Sequence, residues 1–218
     1  MTYRFNAHFK CKCGQPVGQC AAIDHPKRLE SRVGNLGHFS EGWALGKYEY
    51  RTGKWGQLVY DYKWQVYPNT EIAAHDRKIV AKHVYEGMKY FVDCYFIPNE
   101  IPFDTVYPIP GSTGKHPSLA NAVAAHFAND GFQTFPEFIK IDTSLTSSSK
   151  ELKGTLARKK LLNLKFSLKN DILLPNPSGI LFIDDVYETG ATLNRAAEIL
   201  ESVKMDTRLF FLTAAYII

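Results

Sequence analysis

From residue 104 onward, short apolar runs alternate with segments whose apolar residues recur at helical spacing. Residues 104–110 read as a strand closing on a Pro-rich turn. Residues 117–129 read as a helix with Leu119, Ala122, Val123, His126 and Phe127 on one side, and 136–141 as the next strand. A short strand over 166–172 precedes the order strand, helix, strand at 179–183, 192–203 and 208–215. Such alternation predicts an α/β fold, a parallel sheet flanked by helices. Upstream, 43–50 alternates as a strand does, and 56–64 has helical spacing through Leu58, Val59 and Tyr62. Pro68-Asn69-Thr70 is a stop and cap for a long helix with Ile72, Ile79, Val80, His83, Val84, Met88 and Phe91 on one face, which puts His83 in the core or at its boundary. Residues 1–40 are polar and Gly-rich and read as loops with short strands. The division expected is a small irregular N-terminal module, 1–66, and a main domain, 67–218.

Composition narrows the class without naming a chemistry. A chain of 218 residues, 45% hydrophobic and 22% charged, can bury one sizeable core. No run reaches the ~20 apolar residues a membrane span needs, and Met1 to Asn6 lack a signal-peptide core, so a cytoplasmic protein without membrane contact is expected. A net charge of +4 suits a polyanionic small molecule and is too mild to argue nucleic-acid binding by itself. Three of the four cysteines cluster near one end, where His8, Cys11, Cys13 and Cys20 form a candidate tetrahedral zinc set, with His25 to spare. The Cys-x-Cys spacing is unusual for zinc, and reduced thiols in a loop are the other reading.

The chemistry concentrates in Ile180-Leu-Phe-Ile-Asp-Asp-Val-Tyr-Glu-Thr-Gly-Ala-Thr192. An apolar strand delivers Asp184 and Asp185 to its C-terminal end, where open α/β sheets bind ligands. Glu188, Thr189, Gly190, Ala191 and Thr192 then offer backbone N–H groups and two hydroxyls at a helix start, which suits a phosphate. Carboxylates for ribose hydroxyls or a hydrated cation, beside a phosphate cradle, describe a sugar-phosphate site.

This segment closely resembles the phosphoribosyl pyrophosphate (PRPP) signature of the type I phosphoribosyltransferases. The resemblance implies that Asp184 and Asp185 contact the ribose hydroxyls, with Mg²⁺ near them, and that residues 188–192 wrap the 5′-phosphate. Tyr187 and Glu188 are its unusual members; Glu188 could serve as an acid/base group, or repel a phosphate if it pointed inward. Competing phosphate-handling folds fit less well: a HAD nucleophile loop wants Asp-x-Asp-x-Thr, and a receiver domain carries its paired acids near its start. The implied partners are PRPP and a nitrogenous base, and a homodimer is compatible with them.

Two further segments join the site on this reading. The resemblance gives pyrophosphate to the loop after the first core strand, here Pro110, Gly111, Ser112, Thr113, Gly114 and Lys115, whose glycines let N–H groups turn toward an anion. Residues 142–165 are long and rich in Ser, Thr and Lys, and read as a basic lid carrying Lys153, Arg158 and Lys159, or as a solvated surface loop. The run from Lys150 through Arg158, Asn163 and Phe166 into the Asp-Asp signature is similar to ComF-like proteins, phosphoribosyltransferase-fold relatives linked to DNA uptake. Two departures stand out: Cys-x₂-Cys pairs are absent, and Lys115-His-Pro replaces an Arg-rich segment after the pyrophosphate loop. If DNA is a partner, Arg51, Lys54, Trp55, Lys63 and Trp64 are where contact is expected.

Overall fold

The computed structural model describes residues 26–29, 39–48, 53–65, 71–111, 118–142, 144, 155–170, 173–203 and 206–217. In chain order the elements are β1 (Lys27–Arg28), β2 (Glu41–Lys47), α1 (Lys54–Tyr60), α2 (Glu71–Phe91), β3 (Thr105–Pro108), α3 (Leu119–Asn129), β4 (Gln133–Thr134), β5 (Ile139–Ile141), α4 (Thr155–Lys165), β6 (Phe166–Leu168), β7 (Gly179–Tyr187), α5 (Ala191–Ser202) and β8 (Arg208–Tyr216). Helices α1 and α2 each run on into one wider π-type turn, Asp61–Gln65 and Val92–Phe96.

Six strands form the main sheet in the order β1-β2-β8-β7-β3-β4, parallel throughout except for β1. The expected α/β architecture is therefore present. β7 and β8 lie at the centre because their apolar runs are buried on both faces, as parallel strands covered by helices must be. Leu181, Ile183, Phe210 and Leu212 pack toward α1, α2 and α3, while Ile180, Phe182, Leu209 and Phe211 pack toward α5. α5 meets that second face with Leu193, Ala196, Ala197 and Leu200, one stripe at helical spacing. Where β7 begins, the Asp104 carboxylate accepts from the Ser178 amide and hydroxyl, which ties β3 to β7.

Several expectations are corrected. Residues 136–141 do not extend the parallel sheet; β5 pairs antiparallel with β6 in a separate ribbon, since strand partners are not encoded locally. The second half of the expected loop 142–165 is the helix α4, because Leu, Ala, Lys and Arg are strong helix formers and Leu161 and Leu162 have a core face to cover. His83 is exposed; the buried stripe of α2 runs through Ala81, Val84, Tyr85, Met88 and Phe91. The division near residue 66 does not separate the described residues. β2 sits inside the sheet, and Trp43, Leu45, Trp55, Val59 and Tyr62 share one core with α2, α3 and β8.

Trp55 anchors α1, and it is buried, so it is no stacking platform for a nucleic acid. Its ring lies over Gly87, where an added Cβ would come within 1.9 Å of Cη2. Gly87→Ala gains up to ~1 kcal/mol of helix propensity, but dislodging a buried Trp costs more, since full truncation of such a ring costs ~3–5 kcal/mol. The expected net is a loss of about 1–3 kcal/mol, read as a lower denaturant midpoint with an altered tryptophan emission spectrum. An unchanged midpoint would contradict this packing.

Candidate functional site

The C-terminal end of β7 carries the acidic pair. Strand pairing with β8 runs from Gly179–Arg208 to Asp184–Thr213 and resumes at Val186–Ala215. The strand thus continues past both carboxylates to Tyr187, further than the apolar run alone suggests. Asp184 is half-buried, and its Oδ1 accepts from the Asp185 amide at 2.8 Å, which orients the carboxylate from its own backbone.

Glu188, Thr189 and Gly190 then turn the chain into α5 within three residues. Gly190 makes this possible at φ +74°, a left-handed conformation that side chains with a Cβ disfavour. Its carbonyl receives the first helical bond, from the Asn194 amide at 2.8 Å, and Thr189 Oγ1 accepts from the Ala191 amide at 3.4 Å. Beneath the turn, the Tyr187 ring stacks on Phe211 (centroids 5.7 Å apart, 6° between planes), with its hydroxyl beside Gly190. Tyr187 is thus the buried support of the turn. The amides of Thr192 and Leu193, in the first turn of α5, have no acceptor within the helix, and the helix dipole adds positive potential there.

Asp184, Val186, Tyr187, the turn 188–190 and the first three residues of α5 line one cavity of about 80 Å³, closed on one side by Leu162 of α4. That is smaller than the ~300–1,000 Å³ of a whole small-molecule site, and matches a seat for one end of a ligand. The expected phosphate-binding residues Glu188, Thr189, Gly190, Ala191 and Thr192 are therefore brought together, with Asp184 among them.

Asp185 faces a different neighbour. Its Oδ2 lies 2.5 Å from Nζ of Lys63, on the π-type turn that extends α1. Beside it Tyr62 is buried, and its hydroxyl donates to the Ser118 carbonyl at 3.5 Å. Burial raises the Tyr62 pKa, Arg77 opposes the rise, and the Asp185 charge adds to it. Lys63 is the residue whose place in the site the sequence did not disclose.

The loop after β3 borders this pair. The Ile109 amide donates to the Ile183 carbonyl at 2.8 Å, placing Pro110 and Gly111 beside the end of β7. Gly111 and Ser118 lie close together: a Cβ on Gly111 would stand 3.3 Å from the Cβ of Ser118. Ser118 caps α3 by accepting from the Asn121 amide at 3.1 Å. Ser112, Thr113, Gly114 and Lys115 lie outside the described residues, as do Lys153, the side chain of Arg158, and His8, Cys11, Cys13 and Cys20. Lys159 sits on α4, and its Nζ pairs with Glu198 of α5 at 3.1 Å, an interhelix contact.

A divalent cation fits the chemistry of this donor set. Mg²⁺ prefers oxygen ligands and is commonly held by one or two carboxylates plus water and substrate phosphates. Asp184 and Glu188 line the cavity and Asp185 adjoins Asp184 in the chain. Among the described residues no three His, Cys, Asp or Glu side chains converge as a dedicated metal cage, so most ligands would come from water and the bound anion. Among the described residues, too, no helix is long and apolar enough to cross a membrane.

The sequence matches no protein-family model and no curated protein. Among solved structures the chain is similar to a crystal structure of adenine phosphoribosyltransferase, with 13% identity and a TM-score of 0.40, over 67% of this chain and 83% of that one.

Proposed function

We propose that this chain binds PRPP with Mg²⁺ and transfers its phosphoribosyl group to a nitrogenous base, releasing pyrophosphate, in the manner of the type I phosphoribosyltransferases. The observation that carries the reading is the shared cavity. One strand end, one three-residue turn and one helix start present a carboxylate and a set of N–H groups to the same small space.

On this reading the turn 188–190 and the first amides of α5 hold the 5′-phosphate, because N–H groups and a helix dipole both favour an anion. The carboxylates of Asp184 and Asp185 accept from the ribose hydroxyls and fix the sugar over the sheet edge. Residues 110–115 enclose the pyrophosphate end. In the transfer, the bond from C1′ to the pyrophosphate oxygen breaks and a bond to the base nitrogen forms, with a proton leaving that nitrogen. Glu188, lining the cavity, is the candidate to take it. Bound Mg²⁺ would neutralise the departing pyrophosphate. Leu162 of α4 forms one apolar wall of this seat. The expected basic lid takes the form of the helix α4 over 155–165, where Lys159 pairs with Glu198.

Lys115-His-Pro in place of an Arg-rich segment favours a second reading, a ComF-like protein that binds PRPP without transfer. Incubation with PRPP, Mg²⁺ and a panel of purine and pyrimidine bases separates the two. Base-dependent pyrophosphate release, lost in Asp184→Asn, is the result expected of a transferase. PRPP binding with no release for any base would establish the second reading instead.

A further inference from the structure

We propose that Lys63 is a built-in counter-ion of the site: it holds Asp185 while the site is empty, so that a divalent cation enters only together with an anionic ligand. The proposal rests on the PRPP reading for the identity of that ligand, and on the Lys63–Asp185 contact for the device itself.

The contact joins distant parts of the chain. Lys63 comes from the helix that packs against α2, Asp185 from the central strand, and their side chains are only 27% and 18% exposed. A pair this sheltered is less screened than a surface pair. Its geometry depends on how α1 ends. α1 is regular through Tyr60 and then widens into one π-type turn at Asp61–Gln65, which re-aims the side chains that follow. Single π turns are frequent at functional positions, and this is one of two among the described residues, the other being Val92–Phe96 in the core. The turn is firmly based, since Trp55, Val59 and Tyr62 are buried beneath it.

A structural ion pair would look similar, so the setting must decide. Asp184 and Asp185 are adjacent at a strand end, and Glu188 lines the same cavity as Asp184. Neighbouring carboxylates repel one another and attract a divalent cation. An ammonium on Asp185 removes one of these charges and blocks one of the oxygens a cation would use. Lysine carries that charge on a flexible stem and can swing a few ångströms without moving the helix. A ligand with several phosphate charges would draw the ammonium from Asp185 toward itself, opening that carboxylate as the cation arrives. Cation and anion would then bind with positive coupling, each raising the affinity of the other.

The test uses Mn²⁺ as the probe, with free Mn²⁺ followed by electron paramagnetic resonance, in the full chain and in the absence of any phosphate. Lys63→Met is expected to bind Mn²⁺ about tenfold more tightly than the wild type. Lys63→Arg is expected to restore weak binding, and adding Asp185→Asn to Lys63→Met to abolish the gain. A second titration with PRPP present is expected to show strong Mn²⁺–PRPP coupling in the wild type and reduced coupling in Lys63→Met. Equal Mn²⁺ affinity in the wild type and a folded Lys63→Met protein overturns the proposal, whatever PRPP does. If the Mn²⁺ difference appears but PRPP binds neither protein, the ligand assignment fails and the Lys63 device stands.

Discussion

Asp184→Asn is expected to weaken PRPP binding by roughly 10- to 100-fold, the equivalent of losing ~1.5–3 kcal/mol of charge-assisted hydrogen bonding. The substitution is close to isosteric. Asparagine keeps an Oδ1 that can accept from the Asp185 amide, now bonded at 2.8 Å, so the strand end should hold its shape. Only the charge, and with it the ability to take hydrogen bonds from two hydroxyls at once, is removed. Of the two adjacent acids, Asp184 is the one that lines the cavity beside the turn, so its loss should be felt at the sugar. Isothermal titration of the purified variant, with its melting temperature as a control for folding, reads both parts of the expectation. Wild-type affinity in Asp184→Asn would remove the carboxylate from the site.

Gly190→Val is expected to damage stability and binding together. At φ +74° a β-branched residue is strained by ~1–3 kcal/mol, and its Cβ would meet the Tyr187 hydroxyl at 3.0 Å and ring at 3.1 Å. Tyr187 has little room to yield, being 4% exposed and stacked on Phe211. For a chain of this size each kcal/mol lowers the melting temperature by ~2–4 °C, so a fall of roughly 2–12 °C is expected. Binding should fall further than stability, because the strain is relieved most easily by opening the turn that carries the phosphate amides. Calorimetric melting and PRPP titration of the same preparation separate the two effects. A variant that melts like the wild type would show that the left-handed turn is not required.

Much of this site was legible because it is local. Strand, acidic pair, turn and helix start follow one another within 180–193, and each step has its own signature: apolar run, carboxylates, Gly190, then an amphipathic stripe. The strand β3, which leads into the loop after it, was legible in the same way. What was not legible depends on contacts between distant residues. Nothing near Lys63 says that it will meet Asp185, because the meeting depends on a π-type turn and on Trp55 seating over Gly87. β5 looks like any other short strand in sequence, and its antiparallel pairing with β6, within the strand expected over 166–172, became visible only in the folded chain. Residues 155–165 misled through composition: four basic and four leucine side chains in an 11-residue stretch, TLARKKLLNLK, read as a solvated loop when the charges are weighed and as an amphipathic helix when the leucines are.

The most direct measurement is a titration of the wild-type protein with PRPP, with and without Mg²⁺, by calorimetry and thermal shift, beside ribose 5-phosphate and pyrophosphate. Mg²⁺-dependent heat and a rise in melting temperature with PRPP are expected, with ribose 5-phosphate and pyrophosphate each binding more weakly than the whole. A ligand that binds only the folded state at 100 times its dissociation constant stabilises it by ~2.7 kcal/mol, a shift well within reach of the method. No heat and no shift with PRPP at millimolar concentration, in a protein that melts cooperatively, would contradict the assignment of this strand end and turn to a phosphoribosyl ligand.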